Sequence, residues 1–376
     1  MNRVVLGMSG GVDSSVAAAL LVEQGYEVHG VTLQTWEPER GETVSKKWQE
    51  RGCCKVGIAR YVADRLNIPH RVIDIREQFR AGVVQDFIGG YLSGQTPNPC
   101  VRCNERVKFG SLVGLAAEVG ADYVATGHYV RVLRDAEGRW QMHKGADPVK
   151  DQSYFLYRVN RAWLPKLLFP VGGLCKEQVW ERAEEIGLPA DEIKESQEIC
   201  FVTNGDYRSF LTDHAPEAER PGTFVSTDGQ FLGSHRGIAF YTPGQRRGLG
   251  VAADQRLYVT RIDAPTNTIV LGSDADLLEK SCSVREVNLL GLDGLDAPAR
   301  TLVKVRYASP AVPATVMPDS SGRLHIEFDV PQRAVSPGQS AVLYQEDIVL
   351  GGGIIASQST PSPQVLCSRE VSAKGV

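Results

Sequence analysis

The chain has no excess of basic residues: 41 Lys and Arg stand against 45 Asp and Glu in 376 residues, a formal charge of −4. That balance excludes a histone-like, wholly basic nucleic-acid binder, while leaving room for basic patches at chosen loops. Long apolar runs are missing too. The longest near the N-terminus, Val16 to Val22, is far too short to span a bilayer. Five apolar or glycine residues separate Met1-Asn2-Arg3 from a Ser-Gly-Gly turn, so no signal peptide is expected. No internal repeat is visible. With 42% hydrophobic and 23% charged residues, the composition is that of a globular protein, not a disordered one. A cytoplasmic protein with no membrane partner is expected, in a compartment where thiols stay reduced. Eight cysteines then call for chemistry or metal binding, not a disulfide scaffold. At about 150 residues per domain, the length predicts two or three domains.

The first part of the chain alternates short apolar strands with amphipathic helices. Val4 to Met8, Glu27 to Leu33, His70 to Ile75 and Asp122 to Gly127 read as strands; Ser14 to Gln24, Cys54 to Leu66 and Phe109 to Val119 read as helices. Such alternation builds an α/β domain with a doubly wound parallel sheet, whose ligands sit at the C-terminal strand ends. Ser9-Gly10-Gly11 and Gly127-His128 fall there. Beyond about residue 205 the pattern changes to short strands with turn signals at Asp228-Gly229 and Pro243-Gly244. From about 270 it reads as all-β, with partial alternation in Leu302 to Tyr307, clean alternation in Leu324 to Phe328, and a hairpin turning at Gln345-Glu346-Asp347. The expected division is an α/β domain over 1–204, a small central domain over 205–272, a C-terminal β-barrel-like domain over 273–358, and a loose Ser/Pro-rich tail over 359–376.

The strongest local signal is Gly7-Met8-Ser9-Gly10-Gly11-Val12-Asp13-Ser14-Ser15, set between a strand and a helix. The glycines let the backbone approach an anion, and the helix N-terminus and serine hydroxyls supply donors. Without the Gly-Lys-Ser/Thr of a Walker loop, no lysine is placed for γ-phosphate transfer. Asp13 beside a phosphate site is repulsive unless a cation lies between, which points to Mg²⁺ bound with pyrophosphate. An ordinary helix cap is the plainer alternative.

Among the cysteines, Cys100-Val101-Arg102-Cys103 lies in a Pro-punctuated loop, and Cys200 follows Ser196-Gln197-Glu198-Ile199. No second pair at zinc spacing accompanies them, and the pair does not open a helix after a first strand as a thioredoxin motif would. Spacing alone leaves Cys200 open between a buried apolar residue and a reactive or cluster-binding thiol. Cys53-Cys54 are adjacent, which suits helix-entry packing better than metal ligation, and Cys175, Cys282 and Cys367 need no special role. His29 is expected to be packed or solvated, 36–49 to form a surface loop, and Arg246-Arg247 to meet phosphate.

The Ser9 to Ser15 loop resembles the pyrophosphatase-type PP-loop of enzymes that cleave ATP between the α- and β-phosphates and adenylate a carbonyl oxygen. The ordered set of that loop, Asn98-Pro99-Cys100…Cys103-Asn104, Thr126-Gly127-His128-Tyr129, Lys150 to Leu156, Cys200, Gly244-Gln245-Arg246, Ser336 to Gln339 and Leu350 to Ile355 resembles, over 3–356, the bacterial tRNA-specific 2-thiouridylase family. That resemblance implies an enzyme that puts sulfur on the wobble uridine of tRNA, using ATP, Mg²⁺ and a sulfur-donor protein. It implies that Gly7, Met8, Ser9, Gly10, Gly11, Val12, Asp13 and Ser14 bind ATP, with Leu33 and Gly127 at the adenosine. Cys200 would carry a persulfide and Cys103 would be its partner thiol, leaving a Cys103–Cys200 disulfide for later reduction. Asn98, Pro99, Cys100 and His128 would meet the target base; Lys150, Asp151, Gln152, Arg306, Tyr307 and Gln339 would contact tRNA. Many members of the family have Asp where this chain has Cys100. A second route therefore stays open, in which Cys100, Cys103 and Cys200 hold a [4Fe–4S] cluster. The rival from another class is a PP-loop amidotransferase or ligase acting on a small molecule.

Overall fold

A computed structural model describes residues 1–38, 55–188 and 199–357. The expectations for Cys53-Cys54, Ser196 to Glu198, Cys367, most of the 36–49 loop and the tail fall outside those residues.

Strand β1 (Arg3–Gly7) is apolar on both sides because both faces of its sheet are covered. Val5 points into a layer shared with Val31 and Val124, while Val4 and Leu6 point into the opposite layer with Val28 and Ala125. The sheet is parallel, ordered β3-β2-β1-β4-β7, with β2 Glu27–Gln34, β3 His70–Asp74, β4 Tyr123–Thr126 and β7 Leu167–Leu168. Helices α1 (Val12–Glu23), α2 (Val56–Arg65) and α6 (Lys176–Glu185) cover one face. On α1, Val16 and Leu21 are fully covered, each burial being worth about 1.5–3 kcal/mol. The expected doubly wound sheet is present. Its strand order reverses between β1 and β4, so the loops leaving those two strands open side by side at the switch point.

Two long helical runs, α3 (76–92) and α4 (99–118), cover the other face. Asn98 caps α4 by accepting from the Val101 amide (3.3 Å), with Pro99 at the first helical position. Each run contains a five-residue π-helical stretch, Arg80–Val84 in α3 and Asn104–Lys108 in α4. The two stretches face each other: Arg106 Nη1 donates to the Gly82 carbonyl (3.2 Å).

A hairpin of β5 (Val130–Arg134) and β6 (Trp140–Lys144) leaves the parallel sheet and joins the C-terminal domain, β6 pairing antiparallel with β17 at His143–Ile348. Short helix α5 (Ser153–Leu156) follows. The central domain contains helix α7 (Tyr207–His214) and a four-stranded sheet ordered β10-β11-β8-β9, from β8 Gly222–Ser226, β9 Phe231–His235, β10 Tyr258–Asp263 and β11 Thr268–Gly272. The C-terminal strands are β12 Leu278–Leu289, β13 Ala299–Lys304, β14 Val312–Pro318, β15 Leu324–Arg333, β16 Ser340–Gln345 and β17 Ile348–Ile355. They run β12-β15-β14-β13-β16-β17, and β17 pairs back onto β12, closing a six-stranded barrel. Leu324, Ile326 and Phe328 face its core, as their alternation predicts. Among the described residues no helix is long and apolar enough to cross a membrane.

Candidate active site

The loop between β1 and α1 is held open by close backbone packing. Gly10 has φ +76, and a Cβ there would sit 2.2 Å from the Lys55 carbonyl oxygen. Gly127, at the end of β4, lies so close to the first turn of α1 that a Cβ would come within 2.6 Å of the Ser14 nitrogen. The Ser9 and Ser14 hydroxyls pair at 3.3 Å, and those of Ser14 and Ser15 each donate to the Gly11 carbonyl at 3.0 Å. The result is a hydroxyl-lined turn at a helix N-terminus, a ready anion site.

Asp13 has partners that the sequence pattern did not foretell. Its Oδ1 accepts from Lys176 Nζ (2.6 Å) and from the Tyr129 hydroxyl (2.7 Å). The Lys176 side chain is only 7% exposed and lies over the rings of Tyr129 (5.8 Å) and Trp180 (4.9 Å). It leads α6 from a position fixed by Asp147, whose Oδ2 accepts from the Lys176 amide (3.0 Å). Burial works against the Asp147 carboxylate, but backbone N–H groups of Lys176, Val149 and Lys150 outweigh it and hold its pKa below the ordinary range. A cation at the Ser9–Ser15 turn is thus supplied by a lysine 163 residues away in sequence.

Across the switch point, Thr126 Oγ1 and His128 Nδ1 lie 2.7 Å apart, and the His128 ring stacks near Phe109 (6.0 Å) with Phe169 edge-on (6.4 Å). Burial, helped by Lys108, holds the imidazole well below its usual pKa, so it is neutral at pH 7. Cys100 shares this signature. Its side chain meets solvent, yet surrounding protein pushes its thiol up against the opposing effect of Lys108. Lys108 acts on Cys100 and His128 alike, opposing the rise at the thiol and adding to the fall at the imidazole.

Cys103 closes the first α-helical turn of α4, and Cys200 precedes the fully buried Phe201. Phe201 packs on Phe79 (5.7 Å) and Phe87 (5.1 Å) of α3, and Arg102, next to Cys103, reaches Asp86 of α3 at 3.4 Å. Both thiol-bearing segments therefore lean on α3. None of Cys100, Cys103, Cys175, Cys200 and Cys282 is drawn into a disulfide. Among the described residues no group of three His, Cys, Asp or Glu side chains converges as metal ligands, so Cys100, Cys103 and Cys200 do not form a cluster-binding set in this conformation.

The other expected site residues divide into framework and surface. Asp151 is buried and accepts from the Gly145 and Ser153 amides and the Ser153 hydroxyl; Gln152 Oε1 accepts from the Tyr129 amide (3.0 Å). Lys150 is half-buried beside the exposed Val149. Leu33 is buried near the end of β2. Arg306 donates to the Pro243 and Ala334 carbonyls and to Ser336 Oγ, tying the central domain to the barrel. Gln339 Nε2 donates to the Thr96 carbonyl (2.9 Å), and the Thr96 amide to that of Pro337 (2.7 Å), so this barrel loop grips the approach to Asn98. Tyr307 is 39% exposed, lies 4.5 Å from the Phe155 ring and has Lys304 Nζ over it at 5.3 Å. Arg246 and Arg247 are exposed, and His29 bonds Glu27 Oε1 at 3.0 Å.

Three families match in succession: a "tRNA methyl transferase HUP domain" over 2–204, a "tRNA methyl transferase PRC-barrel domain" over 208–273 and an "Aminomethyltransferase beta-barrel domain" over 279–355. Curated relatives are similar almost end to end. The tRNA-specific 2-thiouridylase MnmA of Acetivibrio thermocellus is 46% identical over 94% of this chain and 99% of its own length; that of Clostridium perfringens is 43% identical over 95% and 99%. Solved structures superpose in part: a 4-thiouridine synthetase–RNA complex with bound ATP at TM-score 0.37, 17% identity, 57% of this chain and 51% of that one; and an NMN synthetase from Francisella tularensis at TM-score 0.33, 20% identity, 55% and 71%.

Proposed function

The chain belongs to the tRNA-specific 2-thiouridylases, enzymes that thiolate tRNA, and from that premise we propose how its own residues carry the reaction. The uridine C2 oxygen attacks the α-phosphorus of ATP in the Ser9–Ser15 cradle, and pyrophosphate leaves. Gly7 to Ser14 hold the phosphates, with Leu33 and Gly127 at the adenosine. Lys176, paired with Asp13, supplies positive charge where pyrophosphate charge grows. A single carboxylate on a hydroxyl-lined phosphate turn suits Mg²⁺, which takes one or two carboxylates plus phosphate oxygens; bound there by Asp13, it would neutralise the leaving group.

The target base is flipped into the slot between Asn98, Pro99, Cys100 and His128. The raised Cys100 thiol and the lowered His128 imidazole support this placement in charge only: both groups are neutral, as the base is. A protein donor loads a sulfane sulfur onto Cys200. The terminal sulfur attacks C2 and AMP leaves; Cys103 thiolate attacks Cys200 Sγ and breaks the S–S bond, leaving 2-thiouridine and a Cys103–Cys200 disulfide. A dithiol reductant then returns two electrons. Lys150, Arg246, Arg247 and the Tyr307–Phe155 pair are the surface groups offered to tRNA; Asp151, Gln152, Arg306 and Gln339 act behind them as framework. Setting is cytoplasmic, where such reductants are present.

The observation that carries this reading is the support of both thiol segments by one helix, α3; the Asp13–Lys176 pair at the Ser9–Ser15 turn supports the adenylation half. Mass spectrometry of tRNA incubated with the protein, ATP and a persulfide donor tests it: the expected product is a sulfur-for-oxygen gain at the wobble uridine. No gain, with AMP formed on a small-molecule carbonyl instead, would favour the amidotransferase class.

A further inference from the structure

The turn that carries Cys103 is clamped from outside its own domain. Arg102, with a side chain only 7% exposed, faces Glu286 Oε2 at 2.7 Å, Glu105 at 3.1 Å and Asp86 at 3.4 Å. Arg158 bonds Glu105 at 2.5 Å, lies 3.8 Å from Glu286 Oε2 and donates to the Glu286 carbonyl. Asp86 belongs to α3 and Glu105 to α4, whereas Glu286 comes from barrel strand β12.

Glu286 occupies an unusual place. Its φ is +51, a left-handed conformation that suits Gly or Asn and strains a longer side chain. It lies where β12 slips register against β17, between Arg285 and Asn288, and such bulges re-aim side chains. Gly or Asn would relieve the backbone there but would not bring a carboxylate to Arg102. On the inner side, the Cys103 turn runs directly into the π-helical stretch Asn104–Lys108, where regular α-helical bonding is interrupted. Beside the Asn98 cap and the Asn104 Nδ2 bond to the Phe155 carbonyl, Arg102 ties this turn to the barrel.

We infer that Glu286 is a positioning residue for Cys103: through Arg102, the docked barrel sets the thiol-bearing turn at the orientation needed to release sulfur. The inference rests on the proposed role of Cys103, and its failure is separable from that of the role.

Five variants of the full chain test it by single-turnover thiolation of tRNA, tRNA-dependent pyrophosphate release and thermal melting. Glu286→Gln keeps size and loses charge; Glu286→Asp keeps charge and loses reach. Asn288→Ala removes a different bond from the same strand, Asn288 Nδ2 to the Tyr157 carbonyl at 2.7 Å, away from Arg102. Glu286→Gln is expected to slow thiolation by about ten- to a hundredfold while KM for tRNA and pyrophosphate release stay unchanged, as misplacement of a reacting group predicts. Glu286→Asp recovers part of the rate, and Asn288→Ala stays near the parent. If Glu286→Gln does not fold, Glu286→Asn, suited to the left-handed backbone, must show the same split. Parent-like thiolation in Glu286→Gln, equal loss of both steps, or a raised KM with kcat intact overturns the inference. Parent-like thiolation in Cys103→Ser overturns the role of Cys103 instead.

Discussion

The proposed phosphate cradle and the proposed thiol site are built in opposite ways. The cradle is made inside one domain: backbone presses on backbone at Gly10 and Gly127, and one ion pair, Asp13–Lys176, fixes the charge. The proposed thiol site is assembled from several parts: α4 with its π-helical stretch, the segment around Cys200 leaning on α3, and the barrel residues Gln339 and Glu286 that meet Thr96 and Arg102. A phosphate site works best rigid and preorganised. On the proposed mechanism the thiol pair would meet donor, base and each other in turn, which several supports serve better than one fixed position.

The widest split between the two regions is expected from Cys200→Ser and Cys103→Ser. Each loses about a thousandfold or more of thiolation, as removal of a reacting nucleophile does, while tRNA-dependent pyrophosphate release continues. Loss of both steps together would erase the division of labour. Lys176→Met probes the other end: pyrophosphate release should fall about a hundred- to a thousandfold, the usual effect of removing one preorganised charge from a developing anion. Thiolation should then fall only as far as adenylation does, read as an unchanged ratio of 2-thiouridine to pyrophosphate. Cys100→Asp should stay within about tenfold of the parent, because a wall residue is not a reacting one. Complete loss, together with iron in anaerobically purified parent protein, would revive the cluster route.

The smallest effect concerns acid. His128 is neutral in the fold because its pKa is pushed below the ordinary 6.5, so the unfolded chain binds a proton the folded one refuses. Its contribution to stability is full above pH 6.5 and is lost as pH falls below it. Replacing His128 with Asn should flatten that part of the melting-temperature profile; an identical slope in both proteins would place His128 in a solvated, ordinary environment.

The same contrast explains how far the sequence could be read. The Ser9–Ser15 turn is local: a buried strand, two glycines and a helix start within a dozen residues announce themselves, as does the Leu324–Phe328 alternation, whereas Cys100–Cys103, expected in a Pro-punctuated loop, forms the Asn98-capped first turn of α4. The α/β sheet, the central domain and the closed barrel follow from such patterns. Lys176 does not, because nothing around a helix-leading lysine records that its ammonium will meet Asp13 across the fold. Nor does Glu286, whose role depends on a bulge and on the docking of two domains. Asp151 and Gln339 have motif positions that suggest RNA contact, while their hydrogen bonds run inward to Ser153 and Thr96. Motif spacing singles out residues but not which way each one faces.

The most direct test follows both steps on the same tRNA in Cys200→Ser supplied with ATP and a persulfide donor. The account predicts pyrophosphate release at close to the parent rate with no 2-thiouridine formed. Normal 2-thiouridine in that variant would contradict it.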